Sequence, residues 1–214
     1  MKITVEEKNF IFSIIQENFA WCTRELVLEN HMYREYNERD LDRKFRLDNG
    51  AVKYCIMSDL FFSDYVVKFC GEDFDYCERE YTNYLAAVDR ELGQFFPYTD
   101  FLGELNGLKF YIQERAVCDS EYVNSVWYES LRESYEGAYE DEDEDFINSR
   151  IWDAVDDLED DERLQMIYAV QDLEDFINEY RINDLHEANF GFIDERLVII
   201  DFSGYGWRAT ERAF

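Results

Sequence analysis

At 214 residues, with 50 acidic side chains against 21 basic ones, the chain carries a formal charge of −29. A surface that acidic repels nucleic-acid phosphates and anionic membranes, so direct DNA or RNA binding and membrane association are excluded as primary roles, while a basic protein partner fits the charge. Apolar residues make up 47% and aromatics 18%, which supplies a core and excludes global disorder.

Residues 5–38 read as helical, with Phe10, Ile14, Ile15, Phe19 and Leu26 recurring at helical spacing. The first residues turn acidic at once and contain no continuous apolar run, so no secretory leader is predicted there. Strands follow at Lys44–Leu47, Ala51–Met57 and Tyr65–Phe69, the first two divided by an Asn49-Gly50 turn. From Tyr76 the period is helical again, with Cys77, Tyr81, Tyr84, Leu85, Val88 and Leu92 as one apolar stripe. Gly93 and Pro97 mark the exit. Two more strands, Phe101–Glu104 and Leu108–Glu114, flank an Asn106-Gly107 turn. Residues 119–163 are acidic, with an unbroken run from Glu140 to Asp145 that reads as a solvated insert. A long helix is predicted from Met166, Val170, Leu173, Ile177 and Tyr180, ending near Arg181-Ile182-Asn183. Two short strands, Phe190–Ile193 and Leu197–Ile200, close the pattern around a charged turn at Asp194-Glu195-Arg196.

The five cysteines are widely spaced with no CxxC pair, and the histidines are His31 and His186. That pattern excludes a zinc site and a disulfide framework, and reduced thiols in a cytoplasmic protein fit best.

The informative segment is Asn183-Asp-Leu-His-Glu-Ala-Asn189 followed by Leu197-Val-Ile-Ile-Asp201. Asp184 and Asn189 lie five positions apart in a loop after a helix, and Asp201 ends an apolar strand twelve positions beyond Asn189. Phosphoryl transfer needs magnesium held by hard oxygen ligands and a carboxylate that orients the attacking hydroxyl. Asp184 suits the second task, and Asn189 with Asp201 the first.

Asp184-Leu-His-Glu-Ala-Asn189 resembles the D-L-H-x-x-N catalytic loop of aminoglycoside-phosphotransferase-like and related protein-kinase-fold proteins. Asp201-Phe-Ser-Gly204 is similar to their D-F-G or D-x-G metal loop. The resemblance implies a catalytic Asp184, magnesium ligands Asn189 and Asp201, and ATP with Mg2+ as cofactors. Val66-Val67-Lys68 is similar to the V-A-I-K strand, which makes Lys68 the phosphate-binding lysine. Glu80, twelve residues on and facing inward on the next helix, becomes its ion-pair partner, whereas Glu78 faces solvent. Leu108–Arg115 resembles the strand entering the adenine hinge, which places Gln113 and Glu114 at the nucleotide base. Gly50 would lie in the phosphate-covering hairpin. His186 reads as a structural member of the catalytic loop.

The implied fold is α+β: a minimal bilobal protein-kinase-like fold, with an antiparallel N-lobe sheet carrying one helix and a reduced, mostly helical C-lobe. The implied domains are a helical extension over 1–40, an N-lobe over 41–118, and a C-lobe over 119–214 that holds the acidic insert. Residues 1–40 are read as supplying part of the support that such a C-lobe lacks. Short proteins of this type resemble those of bacteria and their phages. Three features depart from the family: one glycine rather than several in the covering hairpin, thirteen residues after Asp201, and Ile182-Asn183 before the catalytic Asp. Two functions therefore stand side by side. One is ATP-dependent phosphoryl transfer to a protein or small-molecule acceptor. The other is an inactive pseudokinase that binds a basic partner or imitates nucleic acid as an inhibitor. Nucleotidyl transfer is a third reading.

Overall fold

A computed structural model of the chain describes residues 2–29, 31–39, 44–49, 53–71, 76–117, 171–173, 175–182, 189–194 and 196–204. They belong to two compact units, Met1–Ala86 with Pro97–Arg115, and Ala87–Phe96 with Ala116–Phe214.

In the first unit, α1 (Val5–Phe19) starts at a reciprocal cap. Thr4 Oγ1 accepts the Glu7 N–H at 3.2 Å, and the Glu7 carboxylate accepts the Thr4 N–H at 2.8 Å. The segment read as one helical stretch is divided into α1, α2 (Arg24–Leu28) and α3 (Met32–Glu38). The first break has a local cause: Thr23 accepts the Leu26 N–H at 3.3 Å and so opens a new helix. The inward face of α1 is also turned by one residue, with Ile11 buried and Phe10 exposed.

β1 (Arg46–Asn49), β2 (Lys53–Ser58), β3 (Phe62–Cys70), β4 (Thr99–Leu105) and β5 (Leu108–Glu114) form an antiparallel sheet ordered β1-β2-β3-β5-β4. The chain is thus α+β around a five-stranded antiparallel sheet. The β4–β5 hairpin is the tight Asn-Gly turn read from sequence: Leu105 pairs with Leu108, and Asn106 and Gly107 have φ of 53° and 75°. Of the other Asn-Gly pair, Asn49 is itself a strand residue opposite Tyr54, because the register that sets Leu47 against Ile56 buries both and leaves residues 50–53 between the last partners.

Strand alternation gives the sheet two different faces. Tyr54, Ile56, Val67, Phe69, Phe110 and Ile112 share one core with Ile15, Phe19, Val27 and Met32 of the N-terminal helices. Those helices approach closely enough that a Cβ on Gly103 would lie 2.4 Å from the Phe12 ring. Asn106 Nδ2 adds donors to the carbonyls of Ala20 at 2.8 Å and Cys22 at 3.0 Å. Residues 2–29 and 31–39 therefore support the sheet of this unit.

The opposite face carries Cys70 and Tyr111, packed with Cys77 and Tyr81 of α4 (Tyr76–Asp89). The predicted stripe on α4 needs correction. Leu85 and Val88 are 43% and 42% exposed, and the buried positions include the polar Glu80 and Asn83 beside Cys77, Tyr84 and Ala87. An apolar count misses a face whose centre is charged. Beyond α4, Glu91 takes the left-handed conformation at φ 64° and the Leu92 N–H returns to the Ala87 carbonyl at 2.8 Å; Gly93 instead opens a 3-10 turn, Gly93–Phe95.

In the second unit, residues 171–173 and 175–180 are helical and end the same way, with Arg181 at φ 55° and the Ile182 N–H on the Ile177 carbonyl at 2.9 Å. β6 (Phe190–Ile193) and β7 (Arg196–Ile199) form an antiparallel hairpin. Val117 bridges to Phe192 through reciprocal backbone bonds of 2.8 and 3.0 Å. The core here is aromatic: Phe96 meets Phe202 at 4.8 Å and Phe176 at 5.6 Å between ring centroids. The acidic stretch 119–163 and the N-terminal part of the predicted long helix lie outside the described residues. Among the described residues no helix is long and apolar enough to cross a membrane.

Candidate functional site

Lys68 occupies the middle of the sheet, opposite Cys55 on β2 and Tyr111 on β5. Its neighbours Val67 and Phe69 point into the helix-covered core, so alternation turns Lys68 to the face that α4 covers. There its Nζ lies 3.1 Å from Oε2 of Glu80, with Lys68 8% and Glu80 1% exposed. Glu78 is exposed and pairs with Lys109 instead.

A second lysine completes this cluster. Lys53 Nζ lies 2.9 Å from Oε1 of Glu80, so the carboxylate is held from both oxygens. Lys53 was not among the residues singled out from sequence. Lys53, Cys55 and Met57 alternate with buried Tyr54, Ile56 and Ser58, which puts Lys53 on the Lys68 side of the sheet. The Cys55 thiol reports the same surroundings: burial pushes it up, Lys68 and Lys53 pull it down, and Glu80 and Asp48 push it up again.

Gln113 and Glu114 end β5. Gln113 pairs with Val66 on one side and Thr99 on the other, and its buried amide donates to Thr99 Oγ1 at 3.2 Å. Glu114 pairs with Tyr65, and its N–H donates to the Tyr98 carbonyl at 2.8 Å. Both residues are thus tied into the sheet. Asp184, His186 and Gly50 lie outside the described residues.

In the second unit the β6–β7 hairpin fixes Asn189 and Asp201. Phe190 pairs with Ile199, and the Ile200 N–H donates to the Asn189 carbonyl at 2.8 Å, so Asn189 stands opposite Ile200, one residue from Asp201. Asn189 is 7% exposed and Asp201 half-buried. Phe202 is fully buried against Phe96 and anchors the strand end just after Asp201, and Ser203 Oγ reaches Asp201 Oδ1 at 3.4 Å. Gly204 follows with φ 72°.

The donor set at this hairpin is one carboxylate and one amide, both hard oxygen ligands. That chemistry fits magnesium, which takes one or two protein oxygens and completes its shell with water and phosphate oxygens. Among the described residues no group of three or more His, Cys, Asp and Glu side chains could hold a metal by itself. The lysines around Glu80 suit anionic oxygens.

No protein-family model matches the chain, and no curated protein sequence matches it. Among solved structures, the chain is similar to the streptomycin–ATP ternary complex of the aminoglycoside phosphotransferase APH(2″)-IIa. The two are 16% identical, with 81% of this chain and 70% of that one covered, at a TM-score of 0.29. A TM-score that low carries no weight for fold or site.

Proposed function

We propose that this chain is a minimal kinase-fold protein that binds ATP with magnesium and transfers a phosphoryl group to a protein or small-molecule hydroxyl. The observation that carries the reading is the buried pair between Lys68 on β3 and Glu80 on α4, 3.1 Å apart. A kinase-type site uses such a pair to fix an ammonium against nucleotide phosphates. An ion pair this buried is weak support for stability alone, because desolvating both charges offsets much of their attraction.

In this reading residues 41–118 act as the nucleotide lobe and 119–214 as a reduced second lobe. Lys68 donates to the phosphates, and Glu80 holds it in place. The oxygens of Asn189 and Asp201 would hold magnesium, which when bound would supply neutralisation of phosphate charge. Asp184 accepts the proton of the acceptor hydroxyl as its oxygen bonds to the γ-phosphorus and ADP leaves. Gln113 and Glu114 border the adenine.

A second reading, a pseudokinase that docks a basic partner, has its own observation. Asp48 stands opposite Cys55 in the cross-strand row that contains Lys68, so a carboxylate shares the face assigned to the phosphates. The charge of −29 points the same way.

Thermal unfolding during an ATP–magnesium titration separates the two. Ligand at a hundredfold excess over Kd adds about 2.7 kcal/mol of stability. The kinase reading expects a magnesium-dependent rise that Asp201→Ala abolishes. No rise at millimolar ATP sinks it and leaves the partner-binding reading.

A further inference from the structure

Glu80 is gripped from two strands, and the proposed function uses one of the grips. Lys68 reaches Oε2 from the middle of β3 at 3.1 Å, and Lys53 reaches Oε1 from the start of β2 at 2.9 Å. Lys53 pairs with Cys70 and Lys68 with Cys55, so the two lysines are diagonal neighbours on one face of the sheet.

α4 sets the carboxylate between them. Cys77 packs with Cys70 and Tyr111, and the Tyr81 ring lies 5.9 Å from that of Tyr111, so the turn of α4 that carries Glu80 is seated on this face. Those contacts fix the backbone of Glu80 and leave its side chain to turn about its own bonds. Held at Oε2 alone, the carboxylate could rotate about its last bond and carry Lys68 with it. A bond at each oxygen, from a different strand, removes that freedom. Glu80 is 1% exposed, so water does not stand in for a missing donor at Oε1.

We propose that Lys53 is a positioning residue for the phosphate-binding lysine: it acts through Glu80, locking the carboxylate so that Lys68 meets the nucleotide phosphates in one orientation. The inference rests on the nucleotide reading of this face and gives a role to a residue that reading leaves unused. β3 then supplies the ammonium that touches the phosphates, and β2 the one that fixes its holder. The relay needs only the two bonds to Glu80.

The test is a double-mutant cycle on nucleotide affinity. Calorimetry measures Kd for ATP with magnesium, and for adenosine, which lacks the phosphates. The proteins are wild type, Lys53→Met, Lys53→Arg, Glu80→Ala and the Lys53→Met/Glu80→Ala double variant. Lys53→Met is expected to weaken ATP binding about tenfold, the scale of one charge-assisted hydrogen bond, and to leave adenosine binding unchanged. Lys53→Arg keeps the bond to Glu80 and returns ATP affinity to within about threefold of wild type. In the Glu80→Ala background Lys53→Met shifts ATP affinity by less than about twofold, because the group it acts through is gone.

Equal weakening by Lys53→Met in both backgrounds puts Lys53 on the phosphates themselves, and equal weakening of ATP and adenosine makes its role structural. Either result overturns the proposal, as does a folded Lys53→Met protein with the wild-type Kd for ATP. If a variant of the cycle does not fold, amine acylation of wild type, read by mass spectrometry, decides. Slowing of Lys68 alone by ATP supports the relay, and slowing of both lysines overturns it. A wild type that binds neither ligand removes the nucleotide reading itself, a result unlike any of the others.

Discussion

Gly204 lies against the backbone of Tyr180: a Cβ built on the glycine would stand 2.6 Å from the Tyr180 carbonyl oxygen. The glycine also has φ 72°, where an L side chain is strained. Close approach and a left-handed backbone coincide three residues after Asp201. The end of the helix at residues 175–180 thereby sets where the chain beyond β7 runs.

Gly204→Ala is expected to destabilise the protein by about 2–3 kcal/mol, because strain and a backbone clash act together. Gly107→Ala is the control. It has a similar φ of 75° with nothing within 4 Å of the added carbon, so about 1 kcal/mol is expected. Denaturant unfolding of both variants checks the contrast, and equal losses would show that the Tyr180 contact is unimportant.

Glu80→Ala takes from the buried face of α4 a carboxylate that both Lys53 and Lys68 reach. Removing it is expected to cost about 3–5 kcal/mol. A second change, Lys53→Met, removes one of the two buried positive charges and is expected to recover part of the loss. A Glu80→Ala protein within 1 kcal/mol of wild type by urea titration would show that the lysines find water instead.

Gly103→Ala drives a methyl into the Phe12 ring, whose atoms would lie 2.4–2.7 Å away. Overpacking of this kind costs about 1–3 kcal/mol. Phe12→Leu in the same chain frees the space, so a double-mutant cycle is expected to give a favourable coupling. Additive single effects would mean that α1 shifts away from β4 without resistance.

Acid dependence is expected at the first helix. Hydrogen bonds from the Thr4 backbone and hydroxyl hold the Glu7 carboxyl below its ordinary 4.5. A carboxyl lowered in the folded state stabilises at pH above the unfolded value, and that contribution is lost as pH falls through the folded value. Glu7→Gln should therefore be less stable than wild type at pH 6 and converge with it below about pH 4, in melting curves recorded across that range. A gap that stays constant with pH would assign the effect to helix propensity rather than to the ionised cap.

The elements that sequence revealed well are those with strictly local causes. Asn106 and Gly107 make their tight turn because both tolerate positive φ, and Val66–Val67 favour an extended chain whatever lies around them. The pattern failed where the cause was distant. The register of β1 against β2 made Asn49 a strand residue, since burying Leu47 opposite Ile56 is decided by the core under the sheet. The division of residues 5–38 at Thr23 was visible as a capping residue but hidden beneath a continuous apolar periodicity.

The site divides in the same way. Residue type and spacing singled out Asn189 and Asp201, because a carboxylate after an isoleucine strand is a costly choice that local chemistry makes conspicuous, while Lys68 and Glu80 were singled out by their resemblance to a kinase-fold strand and the helix after it. Lys53 was decided only by tertiary structure. On its own strand it is one alternating polar residue at an exposed-looking end, indistinguishable from a solubility residue. It gains meaning when pairing sets β2 beside β3 and α4 lowers Glu80 between the two lysines, bringing together charges that lie 27 and 12 positions apart along the chain. Electrostatic energy depends on distance through space and on burial, and neither quantity is written in a linear sequence.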